Sequence, residues 1–222
     1  MLVILSAGIA PGLALLSYFY LKDQYGTEPI SVVFKTFLMG AFLVFPIMFI
    51  EYVIQAEQLV TNEFVLSFFL TGLLEEFFKW FIMMYTIYYH LSFDEPYDGV
   101  VYGSAVSLGF ATVENILYLV ANGVEFAIGR AFLPVSSHAL FGVIMGYYFG
   151  KGKFTKDKQR VYLLLALIVP FGLHGLYDYI LIVANNWLYF IVPFMIALWC
   201  LGLWKVKKAR ALSDIHASQI SL

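Results

Sequence analysis

Hydrophobic and polar positions along the chain fall into long apolar runs separated by short polar breaks. Seven runs approach the ~20 residues that a helix needs to cross ~30 Å of hydrocarbon: 2–21, 33–54, 64–89, 99–121, 131–150, 161–184 and 187–204. The third is long enough to tilt, and the fourth is diluted by Gly103, Gly109 and Glu114. The pattern therefore predicts an all-α, polytopic transmembrane helix bundle of about seven spans. No repeat divides it, so one integral-membrane domain is expected over 1–212, with a short polar cytoplasmic tail over 213–222. The first run has no Lys or Arg before Lys22 and so lacks the positive start of a cleavable signal. It reads as a retained span.

Composition strengthens the membrane reading. Of 222 residues, 62% are hydrophobic, 13% charged and 19% aromatic, whereas soluble domains are nearer half apolar and a quarter charged. Mean hydropathy is +0.83. The expected location is the cell membrane, with the lipid bilayer as surroundings. A net charge of -2 gives no sign of a nucleic-acid partner. The lone Cys200 lies in an apolar run and reads as a packing residue.

Positive charge orients the bundle. The stretch 151-KGKFTKDKQR-160 holds five basic residues and 205-KVKKAR-210 holds four, so both are expected in the cytoplasm. Counting crossings backward places Lys22 and Lys35 inside and the N-terminus outside. The acidic 51–63 loop, with Glu51, Glu57 and Glu63, falls outside. Arg130 is the exception among the basic residues, falling outside, and Lys79 lies within a span. The 90–98 loop fits least well, because it is placed inside with Asp94, Glu95 and Asp98 and no basic residue.

Several spans carry ionisable residues. Glu75, Glu76 and Lys79 lie on the third, Glu114 on the fourth, His138 on the fifth, and His174 with Asp178 on the sixth. In this topology all sit at or above the midplane on the extracytoplasmic side. Each costs about 2.5–3.5 kcal/mol at a helix centre, so they should face one another or a wet cavity. Glu75 and Lys79 are spaced i,i+4 for an ion pair. Glu76 points about 100° away, so the lysine is not required to neutralise both. His174 and Asp178 are also i,i+4, which lets the carboxylate orient the imidazole. His90 and His216 fall outside this set and should be solvated. The glycines of 142-GVIMGYYFG-150 and 172-GLHG-175 read as close helix contacts.

A carboxylate removed from water becomes a stronger base. Two glutamates with one lysine let one stay paired while the other moves a proton. With an oriented histidine, these are the parts needed to activate water and protonate a leaving amine. The helical zinc-protease signature is absent, although a zinc site from His138, His174 and a glutamate stays open. No cofactor is called for. A proton-coupled transporter or a non-catalytic scaffold would use the same polar cluster differently.

The segments 75-EEFFK-79, 110-FATVEN-115, 136-SSHALFG-142 and 174-HGLYD-178 occur in order on separate spans. Together they resemble the successive motifs of the PrsW family, glutamic-type intramembrane proteases related to the CAAX proteases. The resemblance runs from 7-AGIAPGLALLSYFYLKDQYG-26 to the basic stretch near the C-terminus. It implies site-1 cleavage of a single-span anti-sigma factor on its extracytoplasmic side, which activates an extracytoplasmic-function sigma factor. It also implies that Glu75 is the water-activating base and Glu76 its partner. His174 would support the water or the oxyanion, with His138 as second imidazole and Lys79, Glu114 and Asp178 in support. CAAX-type relatives usually carry His where Glu114 stands, and often Asn where Asp178 stands. An ionised Asp cannot donate to an oxyanion, so Asp178 is assigned to orienting His174.

Overall fold

The computed structural model describes residues 1–220; the last two residues of the polar stretch 213–222 lie outside them. Seven helical segments account for the architecture: α1 (Leu2–Tyr20), α2 (Ile30–Ala56), α3 (63–87), α4 (Asp98–Asn122), α5 (Val124–Phe154), α6 (Gln159–Val183) and α7 (Trp187–Ile220). Six are long and apolar enough to cross a membrane, and the chain is a multi-pass helical bundle. The exception is α3. Its central turns carry Glu75, Glu76 and Lys79, and π-helical turns at Leu66–Leu73 and Met83–Ile87 flank its α-helical stretch Leu74–Ile82. It nevertheless runs from end to end. Phe64 packs on Tyr179 near the end of α6, with ring centroids 5.9 Å apart, whereas Tyr88 accepts a 2.7 Å hydrogen bond from Gln159 at its start.

The glycine-diluted fourth span proves to be the centre of the bundle, buried continuously from Asp98 to Thr112. Its glycines are the reason. Gly99 and Gly103 face Gly146 and Gly142 of α5, and Gly109 faces the backbone of Phe37 on α2. A Cβ on Gly103 would lie 2.8 Å from the Gly146 Cα. In lipid, helix association depends on close packing rather than on apolarity alone. Glycines that lower the hydropathy of α4 are therefore what allow α2 and α5 to close on it. Of the two glycines beside His174, Gly175 meets α3, whereas nothing lies within 4 Å of a Cβ at Gly172.

One end of the bundle gathers the basic segments. Tyr25 bonds Asp214 at 2.8 Å, the Tyr97 N–H bonds the Ser213 hydroxyl at 3.0 Å, and Phe154 packs on His216 at 4.7 Å. The loops after α1, α3 and α5 thus meet the end of α7 on the side that the positive-inside rule assigns to the cytoplasm. Helix α7 continues well past 204 because nothing in 205–220 breaks it. Val206, Ala209 and Ser213 recur on one face and are buried. His216 is consequently half-buried rather than solvated, whereas His90 is exposed as expected. Cys200 is exposed on the bundle surface instead of packed inside. At this end burial pushes Glu28 up to about 7. Burial, aided by the neighbouring Asp23, pushes Glu95 up to about 8.

Candidate active site

All seven ionisable residues singled out from the spans meet in one network at the other half of the bundle. At its centre is Lys79, which is fully buried. Its Nζ lies 2.9 Å from Glu75 Oε2, 2.9 Å from Glu76 Oε1 and 3.2 Å from His138 Nδ1. The lysine thus serves both glutamates, although successive helix positions turn Glu76 about 100° from Glu75. Positions i−3 and i−4 straddle the same side of a helix, and a flexible lysine stem reaches the gap between them. The ammonium also lies 4.3 Å from the centroid of the Phe110 ring, a cation–π contact.

Donor counting fixes one histidine tautomer. A lysine ammonium has three N–H donors and no acceptor, so His138 Nδ1 must accept. The ring proton is then on Nε2, which donates to Glu114 Oε2 at 3.1 Å. Glu114 is held in turn by Arg130, whose Nη2 donates to its other oxygen at 2.9 Å. The Arg130 Nε–H bonds Asn115 at 2.9 Å, and the guanidinium lies 4.0 Å from the Tyr118 ring centroid. His174 is placed differently. Its Nδ1 donates to Glu76 Oε1 at 3.0 Å, while Nε2 lies 3.4 Å from Asp178 Oδ2. Asp178 Oδ2 completes no hydrogen bond. Phe141 stacks on His174 at 5.1 Å, which sets the plane of the ring.

The two glutamates differ in access. Glu75 lines a cavity of about 450 Å³ together with Glu114, Arg130, His138, His174 and Asp178. Its Oε2 is engaged by Lys79, and among the described residues no hydrogen bond holds its Oε1. Glu76 is fully buried behind it, and its Oε2 has no partner. The cavity reaches the surface beside Phe126 and Leu181, at the end opposite the basic loops. Local backbone accounts for the placement. π-Helical turns precede Glu75 and, at Ala131–Val135 around Pro134, precede His138. Such turns shift the helical register and recur at functional sites. Gly72 and Gly175 let α3 and α6 approach, and a Cβ on Gly72 would lie 2.9 Å from the Gly175 N.

Two residues of this region escaped the sequence reading. Arg130 was noted only as a basic residue on the acidic side, and that anomaly was the signal for it. Glu51 was expected in a loop, but α2 continues to Ala56. There Glu51 is half-buried and has an unpartnered oxygen.

Glu75, Glu76, His138 and His174 each offer one ligand atom within 4.8 Å of the others. Two imidazoles and two carboxylates are a suitable zinc set by type. However, Lys79 Nζ already draws on Glu75 Oε2, Glu76 Oε1 and His138 Nδ1. A metal placed among those atoms, at ~2.0–2.2 Å from each, would coincide with the ammonium. Through those three atoms the residues do not take a metal unless Lys79 leaves.

Residues 28–202 match the family described as "PrsW family intramembrane metalloprotease". The chain is 59% identical to Protease PrsW of Bacillus subtilis (strain 168) over 214 residues, covering 96% of this chain and 98% of that protein. It is 59% identical to Protease PrsW of Geobacillus kaustophilus (strain HTA426), over 95% of this chain and 93% of that protein. Protease PrsW of Clostridioides difficile (strain 630) is 34% identical, over 84% of this chain and 83% of that protein. No solved structure matches the chain. With a polar network enclosed among its spans and relatives matched along nearly its full length, the chain belongs to the PrsW family of intramembrane proteases.

Proposed function

We propose that the chain is a glutamic-type intramembrane endopeptidase that makes the first, extracytoplasmic-side cut in a single-span anti-sigma factor, thereby activating an extracytoplasmic-function sigma factor. The observation that carries the catalytic reading is the asymmetry of the glutamate pair. Glu75 lines the cavity with one oxygen free of hydrogen bonds, whereas Glu76 is sealed behind it against Lys79 and His174. The anti-sigma substrate follows from the family resemblance of the motifs. A cavity reaching the surface opposite the basic end agrees with a cut on the extracytoplasmic side.

In this reading Glu75 Oε1 takes a proton from water as the water oxygen bonds to the scissile carbonyl carbon. Lys79 fixes the carboxylate by its other oxygen. His174 donates its Nδ1–H to Glu76 and, as an imidazolium beside the Asp178 carboxylate, donates its Nε2–H to the oxyanion. The proton held by Glu75 passes to the leaving nitrogen as the C–N bond breaks. His138 has committed both nitrogens, to Lys79 and Glu114, so it acts as a positioning residue. Burial of the set excludes bulk water and strengthens each of these interactions.

A metal-dependent reading is favoured by the family description and by the donor types, and one experiment separates the two. Purified protein in detergent is treated with chelator and given a single-span substrate, comparing wild type, Glu75→Gln and Glu76→Gln with folding followed in parallel. A folded but inactive Glu75→Gln variant, with wild type indifferent to chelation, is expected. Loss of wild-type cutting on chelation, restored by zinc, would overturn the glutamic reading.

A further inference from the structure

The acidic loop that fits the positive-inside rule least well comes together with a second acidic segment at the basic end of the bundle. Asp23 follows α1, Glu95 lies in the loop before α4, and Asp98 is the first residue of α4. Their ligand atoms all lie within 4.8 Å of one another. Among the described residues none of them forms an ion pair, although basic side chains surround them. Lys153 turns its ammonium to the His90 carbonyl and the Phe93 ring. Arg210 lines the same crevice as Glu95 but leaves its Nε unpartnered.

The decisive feature is unsatisfied oxygen. Asp98 is fully buried beside the Glu28 carboxyl; its Oδ2 accepts the Asp94 and Glu95 N–H groups at 2.9 and 2.7 Å, but among the described residues its Oδ1 completes no hydrogen bond to an N–H or hydroxyl donor. Glu95 is 7% exposed and its Oε1 is likewise unpartnered, as are both oxygens of Asp23. A buried, unpaired carboxylate oxygen costs several kcal/mol unless a cation or donor meets it. Here four such oxygens come from three residues on two separate linkers. All-oxygen, multiply anionic sites suit hard divalent cations, and a spread of up to twice ~2.4 Å matches calcium–oxygen distances. Glu28, bonded to Tyr102, stands beside the group as a further carboxylate.

We propose that Asp23, Glu95 and Asp98 hold a hard divalent cation, Ca²⁺ or Mg²⁺, at the cytoplasmic end of the bundle, separate from the proteolytic cavity. The ion ties the α1–α2 linker to the loop entering α4. Through Ser213, which accepts the Tyr97 N–H, it also braces the end of α7.

The test uses the full chain in detergent, stripped with chelator and then titrated separately with CaCl₂ and MgCl₂ against a KCl control of equal ionic strength. Thermal unfolding and calorimetric binding are the readouts. One of the two cations should raise the melting temperature saturably. Asp23→Asn, Glu95→Gln and Asp98→Asn should each weaken binding by about tenfold or more, equivalent to ~1.4 kcal/mol. Asp23 is only partly buried, so its variant keeps the test valid if the Asp98 variant does not fold. Glu75→Gln should bind as wild type does. The proposal is overturned if neither cation acts beyond the KCl control. It is equally overturned if the three variants respond like wild type, or if Glu75→Gln alone abolishes the response.

Discussion

Replacing Lys79 with methionine tests the central electrostatic argument. Methionine keeps the length and flexibility of the stem and removes only the charge and its three donors. Those donors serve two carboxylates and one imidazole, all buried. At about 1.5–3 kcal/mol per hydrogen bond to a charged group, the gross loss would be large. It is offset in part because the ammonium no longer needs to be buried. Breaking buried pairs by removing one partner costs about 3–5 kcal/mol, and we expect a loss in that range. Glu76 should dominate it, since one of its oxygens is already unpartnered. The double variant Lys79→Met/Glu76→Gln should therefore recover much of the stability. Removing the ammonium also frees three ligand atoms around its former position, from Glu75, Glu76 and His138, with His174 close by, so Zn²⁺ should bind and restabilise Lys79→Met. At a hundredfold excess over its Kd the ion would return about 2.7 kcal/mol. Unfolding followed by circular dichroism, with and without Zn²⁺, reads all of this. A Lys79→Met variant within about 1 kcal/mol of wild type would behave like a solvated pair and refute the reasoning. Zinc affinity in wild type equal to that of the variant would show that the ammonium does not occupy the metal position.

Gly72→Ala places a Cβ 2.9 Å from the Gly175 backbone N and should cost about 1–3 kcal/mol by overpacking. Its activity should fall further than its stability, because the 3.0 Å His174–Glu76 bond spans that contact; Gly172→Ala, with open space around it, is the control. Arg130→Met should lose about 1–3 kcal/mol with its hydrogen bonds to Glu114 and Asn115, and cutting should slow as His138 loses its anchor, whereas Arg130→Lys should restore part of the rate. In chelated protein, stability should fall as pH rises from about 4.5 to 8, because folding raises Glu28 to about 7 and Glu95 to about 8. Through these two groups the native state holds more protons than the unfolded chain within that window. Melting temperatures across pH check the sign, and the double variant Glu28→Gln/Glu95→Gln should flatten the profile.

The sequence by itself determined the class of fold and the short set of ionisable residues that meet in the buried network. It could do so because insertion into hydrocarbon is priced residue by residue along one helix. Hence the spans of α2 and α6 were legible to within a few positions, and Glu75, Lys79, His138 and His174 stood out as charges that lipid would reject. The rotation of each helix was not legible. It depends on which glycines meet which backbones, as Gly103 meets Gly146 and Gly72 meets Gly175, and on π-helical turns that no 3.6-residue period reveals. Only the tertiary structure could turn Lys79 toward both glutamates, commit both nitrogens of His138, bring Arg130 from an apparent topological anomaly to the Glu114 carboxylate, and leave Glu75 alone of the glutamate pair facing open space. Apart from the Lys79–glutamate pairs, which lie within α3, those outcomes are contacts between spans, set by packing geometry and by the cost of an unpaired charge, and neither quantity is local in the chain.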